Sequence, residues 1–453
     1  MKKSTKHLCG IAAGLMIASF SDAQIINTIA GGGSSMGDGG PATAAQLYSP
    51  YLMAVDASDN LYIADYSHYE IRKVDKNTGI ISSVAGNGVG NYSGDGGQAT
   101  AAELHAPNSV IFDAAGNFYI STGNRIRKVT ASSGIITTFA GNDGAGYIGD
   151  GGQATAAEFN GPEGLAIDGS GNLLIADNGN YVVRKIDVGT GIISTIIGNG
   201  NPSFNGDGGQ ATAAEIGTPY DVAVDASGNI YFSDYSNMRI RKVTISTGVI
   251  TTVVGNGGIS YVGDGSQATA TGMYNPEGVT IDKTSGDIIF AEEKDNSIRR
   301  VSASNGIINT ITGLGFSNPG FSGDGGPATA AELTEPYGVT LSHSGNLYIS
   351  DWYNNRIRMV SNVSGINEVS DTKNIEVYPV PTKGNLNIKL YGSGYNSLKI
   401  CNVLGQEYYS QILDVQKQNP QITINALNIP PGIYILQVSS QQGVSSKRIV
   451  IQK

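Results

Sequence analysis

Apolar and polar positions alternate along this chain in short blocks. From Gly164 the blocks are GLAID (Gly164–Asp168), NLLIAD (Asn172–Asp177), VVRKID (Val182–Asp187) and GIISTIIG (Gly191–Gly198), separated by GSG, NGNY and VGT. Each block is too short for a helix and rich in Ile, Val, Tyr and Thr. Each is bounded by residues that favour tight turns, which predicts strands in antiparallel hairpins. Four such strands cannot bury both faces of their sheet alone, so the unit must stack on copies of itself.

The copies are present. GDGGQATAAEL at Gly94–Leu104 recurs as GDGGPATAAQL from Gly37, GDGGQATAAEF from Gly149, GDGGQATAAEI from Gly206, GDGSQATATGM from Gly263 and GDGGPATAAEL from Gly323. The repeated Asp falls at 38, 95, 150, 207, 264 and 324, a period of 57, 55, 57, 57 and 60 residues. The first three strands of the unit begin near Tyr51, Asn108, Glu163, Tyr220, Glu277 and Tyr337. The fourth also occurs six times, but its first copy, IINTIAG (Ile25–Gly31), precedes every other strand, and the last unit ends at RIRMV (Arg356–Val360) without one. Complementary halves at the two ends predict a ring: an all-β, six-bladed β-propeller whose N-terminal strand completes the last blade and leaves no open sheet edge. Gly and Asp in GDGG suit a tight turn, and ATAAEL suits one or two helical turns, so the repeated words read as an elaborated inter-blade loop.

Among 453 residues there are 63 Gly and 23 Tyr, only 15% are charged, and the formal net charge is −10, which speaks against nucleic acid as a partner. Residues 1–23 read as a signal peptide: Lys2, Lys3 and Lys6, then an apolar run Leu8–Phe20, then Ser21-Asp22-Ala23 before Gln24. Only Cys401 remains after cleavage, so the exported chain is expected to fold without a disulfide.

The stretches PYDVAVDASGNIYFSDYSNMRIRKV (Pro219–Val243) and EPYGVTLSHSGNLYISDWYNNRIRMV (Glu335–Val360) resemble NHL-repeat propellers, and the resemblance extends over 24–361. After a linker at 362–373, residues 374–453 read as a small β-sandwich. Four pieces of it resemble the C-terminal sorting (Por) domain of the type IX secretion pathway of Bacteroidetes: Asn374–Pro381, Val403–Gln406, Leu427–Val438 and Lys447–Lys453. Val380 stands where that family has Asn, and Cys401 where it often has Tyr. The resemblance implies passage through the periplasm and outer membrane to the medium or the cell surface, with the type IX machinery as partner of residues 374–453.

In a propeller the loops joining blades and those joining strands two and three share a face. The GDGG loops are expected there. So is a ring after the loop proline (Tyr51, Asn108, Glu163, Tyr220, Glu277, Tyr337), together with the aromatic tips Tyr66, Tyr235 and Trp352. Aromatic rings and carboxylates around an opening suit a carbohydrate, peptide or protein partner, and this ring is the candidate ligand site of a monomeric, secreted or surface-held binding protein. The alternative is a metal-dependent hydrolase or lyase with an axial carboxylate site. His68, His105 and His343 fall at different points of their repeats, which argues against a three-histidine zinc site. No cofactor is implied, an oxygen-only calcium site from Glu163, Glu277 and Asn108 being the one metal alternative. Asp56–Asn60 and Asp225–Asn229 imitate the start of a calcium loop but read as hairpin turns. The strand-three Arg-Lys pairs, Arg184-Lys185 among them, are expected to pair with the Asp residues that end strand two.

Overall fold

The computed structural model describes residues 24–361, 363, 375–378, 384–391, 393–402, 407–414, 416–430, 432–440 and 443–451. The expected signal peptide, all of the linker but Val363, and the Val403–Gln406 turn lie outside the described residues.

Residues 24–361 form six sheets built alike. The first has strands Pro50–Val55, Leu61–Asp65, Glu70–Val74 and Ile81–Ala85, each paired antiparallel with the next. The sixth takes three strands from the C-terminal end (Pro336–Leu341, Leu347–Asp351, Arg356–Val360) and its outer strand, Ile26–Gly31, from the N-terminal end. The ring is thus closed by pairing Ile26 with Val360 and Gly31 with Arg356.

The first strands of successive sheets pack side by side around a common axis, and that of the sixth returns to that of the first. They approach so closely that a side chain does not fit at every position. A Cβ on Gly338 would lie 2.7 Å from the Tyr51 carbonyl oxygen, and one on Gly278 would lie 2.5 Å from that of Tyr337. Glycine here serves close backbone approach rather than an unusual φ. Between the sheets lie layers of Ile, Val, Leu and Phe, with Phe232, Ile250 and Ile216 in one and Phe290, Ile308 and Met273 in the next.

The GDGG–ATA segments solve the edge problem of each sheet. Gln98 bridges Ile135, and Gly96 N–H donates to the Ile136 carbonyl at 2.8 Å, so the segment lies along the outer strand of the sheet that follows it. The ATA stretch is a single 3-10 turn, Ala99–Ala101 here, the lower end of the one or two helical turns expected. Its first alanine is a staple: Gly86 N–H donates to the Ala99 carbonyl, and Ala99 N–H donates to Gly134 of the next sheet, both at 2.9 Å. Gly141–Ala154–Gly191, Gly198–Ala211–Gly248 and Gly255–Ala268–Gly306 repeat the staple.

The tail forms two sheets. One holds Ile375–Tyr378, Asn385–Leu390 and Gln421–Asn425, and the other Tyr395–Asn402, Glu407–Ile412, Gly432–Ser440 and Gly443–Ile451. Leu386, Ile388, Leu398, Leu436 and Ile449 are buried between them, giving the expected sandwich its own core.

Candidate functional site

Two sets of polar side chains recur in every sheet, and they do different things. The first is an arginine on strand three. Arg72, Arg127, Arg184, Arg241, Arg299 and Arg358 are all 0% exposed. Each meets the GDGG aspartate: Arg72–Asp38 2.6 Å, Arg127–Asp95 2.8 Å, Arg184–Asp150 2.7 Å, Arg241–Asp207 2.7 Å, Arg299–Asp264 3.2 Å and Arg358–Asp324 2.9 Å. The expected partners on strand two are present but more distant, with Asp65, Asp177, Asp234 and Asp351 at 3.4–3.6 Å. Arg184 also donates to the carbonyls of Glu158 (2.7 Å) and Ile148 (3.0 Å). The other oxygen of Asp150 takes the Thr195 N–H at 2.8 Å, tying the loop to the outer strand. An aromatic loop tip covers the guanidinium: Tyr92 over Arg127 at 4.7 Å, Tyr147 over Arg184 at 5.5 Å, Phe204 over Arg241 at 4.9 Å, Tyr261 over Arg299 at 4.4 Å and Phe321 over Arg358 at 4.9 Å. In the first copy Met36 takes this place, its sulfur 3.9 Å from Arg72.

This network is structural. The GDGG and ATA segments hydrogen-bond to outer strands and to the turns between strands three and four. They therefore lie along the outer strands at the periphery of the ring, as elements of an inter-blade loop. The calcium-loop imitations are hairpin turns: Asp225 Oδ1 accepts from Ser227 and Asn229 N–H, both at 2.9 Å, and Asp56 does the same with Ser58 and Asn60.

The second set sits at the axis. The first residue after each loop proline falls at a bulge, where the register between strands one and two shifts, as between Pro50 and Met53 or Pro219 and Val222. A bulge re-aims the side chain it carries. Tyr51 and Tyr337 meet edge to face at 4.9 Å, with Trp352 4.9 Å beyond Tyr337 and Tyr66 5.8 Å from Tyr51. Tyr220 packs on Tyr235 at 4.5 Å. Of the nine predicted residues, these six aromatics form two arcs. Asn108 is buried, and its amide donates to the Pro162 carbonyl at 3.0 Å.

The two predicted acids are joined by two that the sequence reading passed over. Glu277 is 2% exposed, Asp221 7% and Glu293 3%. Asp221 spans two inner strands, accepting from Val222 and Val279 N–H at 2.9 Å each. Glu293 accepts from the Tyr235 hydroxyl at 3.0 Å and from Tyr337 at 3.5 Å, and pairs with Lys294 at 2.6 Å. Glu293 occupies the tip position of Tyr66, Tyr235 and Trp352, but AEEK in its sheet hides the equivalence to ADY or SDW. Burial raises the Glu163 carboxyl to about 8, with the Asp221 charge adding to it, and burial raises Asp221 to about 7. Glu277 stands well above the usual carboxylate range, through burial and then through Glu293, Glu163 and Asp221. The phenol of Tyr51 is pushed up by burial and by Glu163 and Glu277, which places it among the same acids.

A groove of about 500 Å³ leads from this mouth toward the rim, lined by Tyr66, Asn108, Glu163, His105, Arg125 and Tyr92 among others. It lies where the second sheet joins strands two and three by Gly123-Asn124 alone. The first sheet spends a 3-10 turn, Tyr66–His68, on the same connection.

His68 contacts Asp65 and His343 contacts Asp59, while His105 lines the groove, so the histidines stand apart. Among the described residues no three His, Cys, Asp or Glu side chains are arranged to hold a metal ion. These donors do not fit the calcium or metal-hydrolase alternative.

Residues 376–452 match the secretion system C-terminal sorting domain, and residues 144–205 and 199–261 each match the teneurin NHL domain. Mouse teneurin-1 is 23% identical over 387 residues, 76% of this chain and 14% of its own length. Human NHL repeat-containing protein 2 is 25% identical over 249 residues, 48% of this chain and 34% of its own. The chain thus spans well under half the length of these curated relatives. A crystal structure of an auxiliary nutrient binding protein from Bacteroides ovatus has the same fold, with a TM-score of 0.55 at 15% identity, covering 75% of this chain and 76% of that one. Repeats, closed sheets and family matches agree: the chain is an NHL-repeat β-propeller protein carrying a C-terminal sorting domain, which marks it for secretion or cell-surface display through the type IX system.

Proposed function

We propose that this protein is an extracellular binding protein whose ligand, a carbohydrate, a peptide or a segment of another protein, docks at the axial mouth of a six-bladed ring. The aromatic arcs and the acids Glu163 and Glu277 form the contact surface. One observation carries the reading: at this mouth Glu163, Asp221, Glu277 and Glu293 are brought together with no arginine paired to them among the described residues, whereas the buried acids that end strand two each face the strand-three arginine. Unmatched buried polar groups are costly, and such cost concentrates at functional sites. The groove beside Glu163 gives an extended ligand a path from rim to axis. Propellers host binding and catalysis alike, so the argument rests on the site and not the fold. The domains would divide at the expected boundaries, with 24–361 binding and 374–453 directing export.

Glycan and peptide arrays probed with the purified full chain test this. The expected outcome is a ligand whose capture is lost in Tyr337→Ala and retained in Val188→Ser, which alters an exposed side chain in the turn between strands three and four of the third sheet. Ligands captured equally by both variants would place the binding surface elsewhere.

A further inference from the structure

The geometry points to an organic cation as the group received at the mouth: an ammonium or guanidinium carried by the ligand, held against Glu277 and Glu163 and flanked by the rings of Tyr51, Tyr337 and Tyr220. This rests on the mouth being the binding site and adds the chemistry of what enters it.

Three observations lead there. First, Glu277 is 2% exposed yet its carboxyl takes no hydrogen bond and forms no ion pair among the described residues, and Glu163 Oε2 is buried without a partner. The other two acids are already engaged, Asp221 by two backbone N–H groups and Glu293 by Lys294 and Tyr235. Second, donors beside these acids are already committed. Lys294 is held between Glu293 and Glu335 at 2.6 Å each, the Asn108 amide is given to Pro162, and the Tyr235 hydroxyl to Glu293. A neutral sugar would leave an ionised carboxyl's charge uncompensated at this buried mouth, whereas a cation compensates it as the carboxyl gives up its proton. An ammonium or guanidinium has donors only. Third, the walls are aromatic, and ring faces attract a cation, most strongly where water is excluded. The bare-metal alternative lacks its donor set.

Trp352 is the only tryptophan of the chain and lies 4.9 Å from Tyr337, so its emission reports on the mouth. The full chain is titrated with Nα-acetyl-lysine N-methylamide and Nα-acetyl-arginine N-methylamide, and with the neutral Nε-acetylated lysine analogue. The expected result is a saturable change in Trp352 emission with at least one cationic probe, at least tenfold weaker with the neutral analogue and at least tenfold weaker in Glu277→Gln. Melting of Glu277→Gln at or above the parent temperature shows that its fold is intact, and Glu163→Gln is the second variant should it not be. Equal response to charged and neutral probes, undiminished binding in the folded variants, or silence toward both cations overturns the inference. Neutral oligosaccharides that move Trp352 emission while the cations do not would overturn it too, yet would leave the mouth as the binding site.

Discussion

At the scale of single residues the two polar sets make opposite demands on stability. Arg184 is fully buried but surrounded by Asp150, Asp177 and two carbonyls. Removing one member of a buried ion network strands the others, at a cost of about 3–5 kcal/mol. Arg184→Ala should therefore lower stability by about that amount in denaturant unfolding, and an unchanged midpoint would refute the pairing. Glu163 behaves in reverse. Its carboxyl ionises near 4.5 in the unfolded chain and about 8 in the fold, so the folded state holds a proton that the unfolded state has released. Stability contributed by Glu163 is whole below pH 4.5 and declines as pH rises toward 8. Asp221 and Glu277 respond in the same direction, as do Glu292 and the strand-two Asp177, Asp234 and Asp351, all held above the usual carboxylate range by burial. Glu163→Gln should leave stability unchanged near pH 4 and raise it by about 1–4 kcal/mol at pH 8, where buried charge is replaced by a neutral group. Thermal melts at the two pH values check this, and a variant less stable than the parent at pH 8 contradicts it.

At the scale of the element, what was legible in the sequence depended on how local the signal is. Strands, turns and the displaced fourth strand are written in adjacent residues, so the sheets and the closing pair Ile26–Val360 follow from the pattern. The expected pair of Arg184 with the strand-two Asp177, seven residues away, is present, but the nearer partner, Asp150, is 34 residues away and has no local signal. Asp221 was passed over because the third, fifth and sixth sheets carry Gly164, Gly278 and Gly338 at its position, which suggests a packing site rather than an acid. Bulges, which aim the mouth residues inward, have no residue signature in this chain. The closing strand itself can be tested. It is held on one side by Arg356–Val360 and on the other by the last loop, with Gly325 N–H donating to Ile26 and Ala328 N–H to Gln24. Starting the chain at Gly32 bares both surfaces, and an unpaired strand edge recruits strands from other molecules. Such a chain should elute larger than the parent in size-exclusion light scattering and return to the parent size when a Gln24–Gly31 peptide is supplied. Parent-like size without the peptide would mean that the ring does not depend on this strand.

At the scale of the whole molecule, the two regions carry separate cores. The sheets of 24–361 bury their own layers, and the tail buries Leu386, Leu398 and Leu436 within itself. A region with its own core folds without its neighbour. The sorting domain is therefore expected to be dispensable for the propeller's stability and required for its export. Deleting 376–452 in a host with a type IX system should leave a propeller that melts within a few degrees of the full chain, and fractionation should find it retained in the periplasm. Retention follows because the deleted segment is the part that matches the sorting domain, and nothing in the propeller duplicates that match. A truncated chain recovered from the medium would assign export to the propeller. A truncated chain that fails to fold would tie the two cores together.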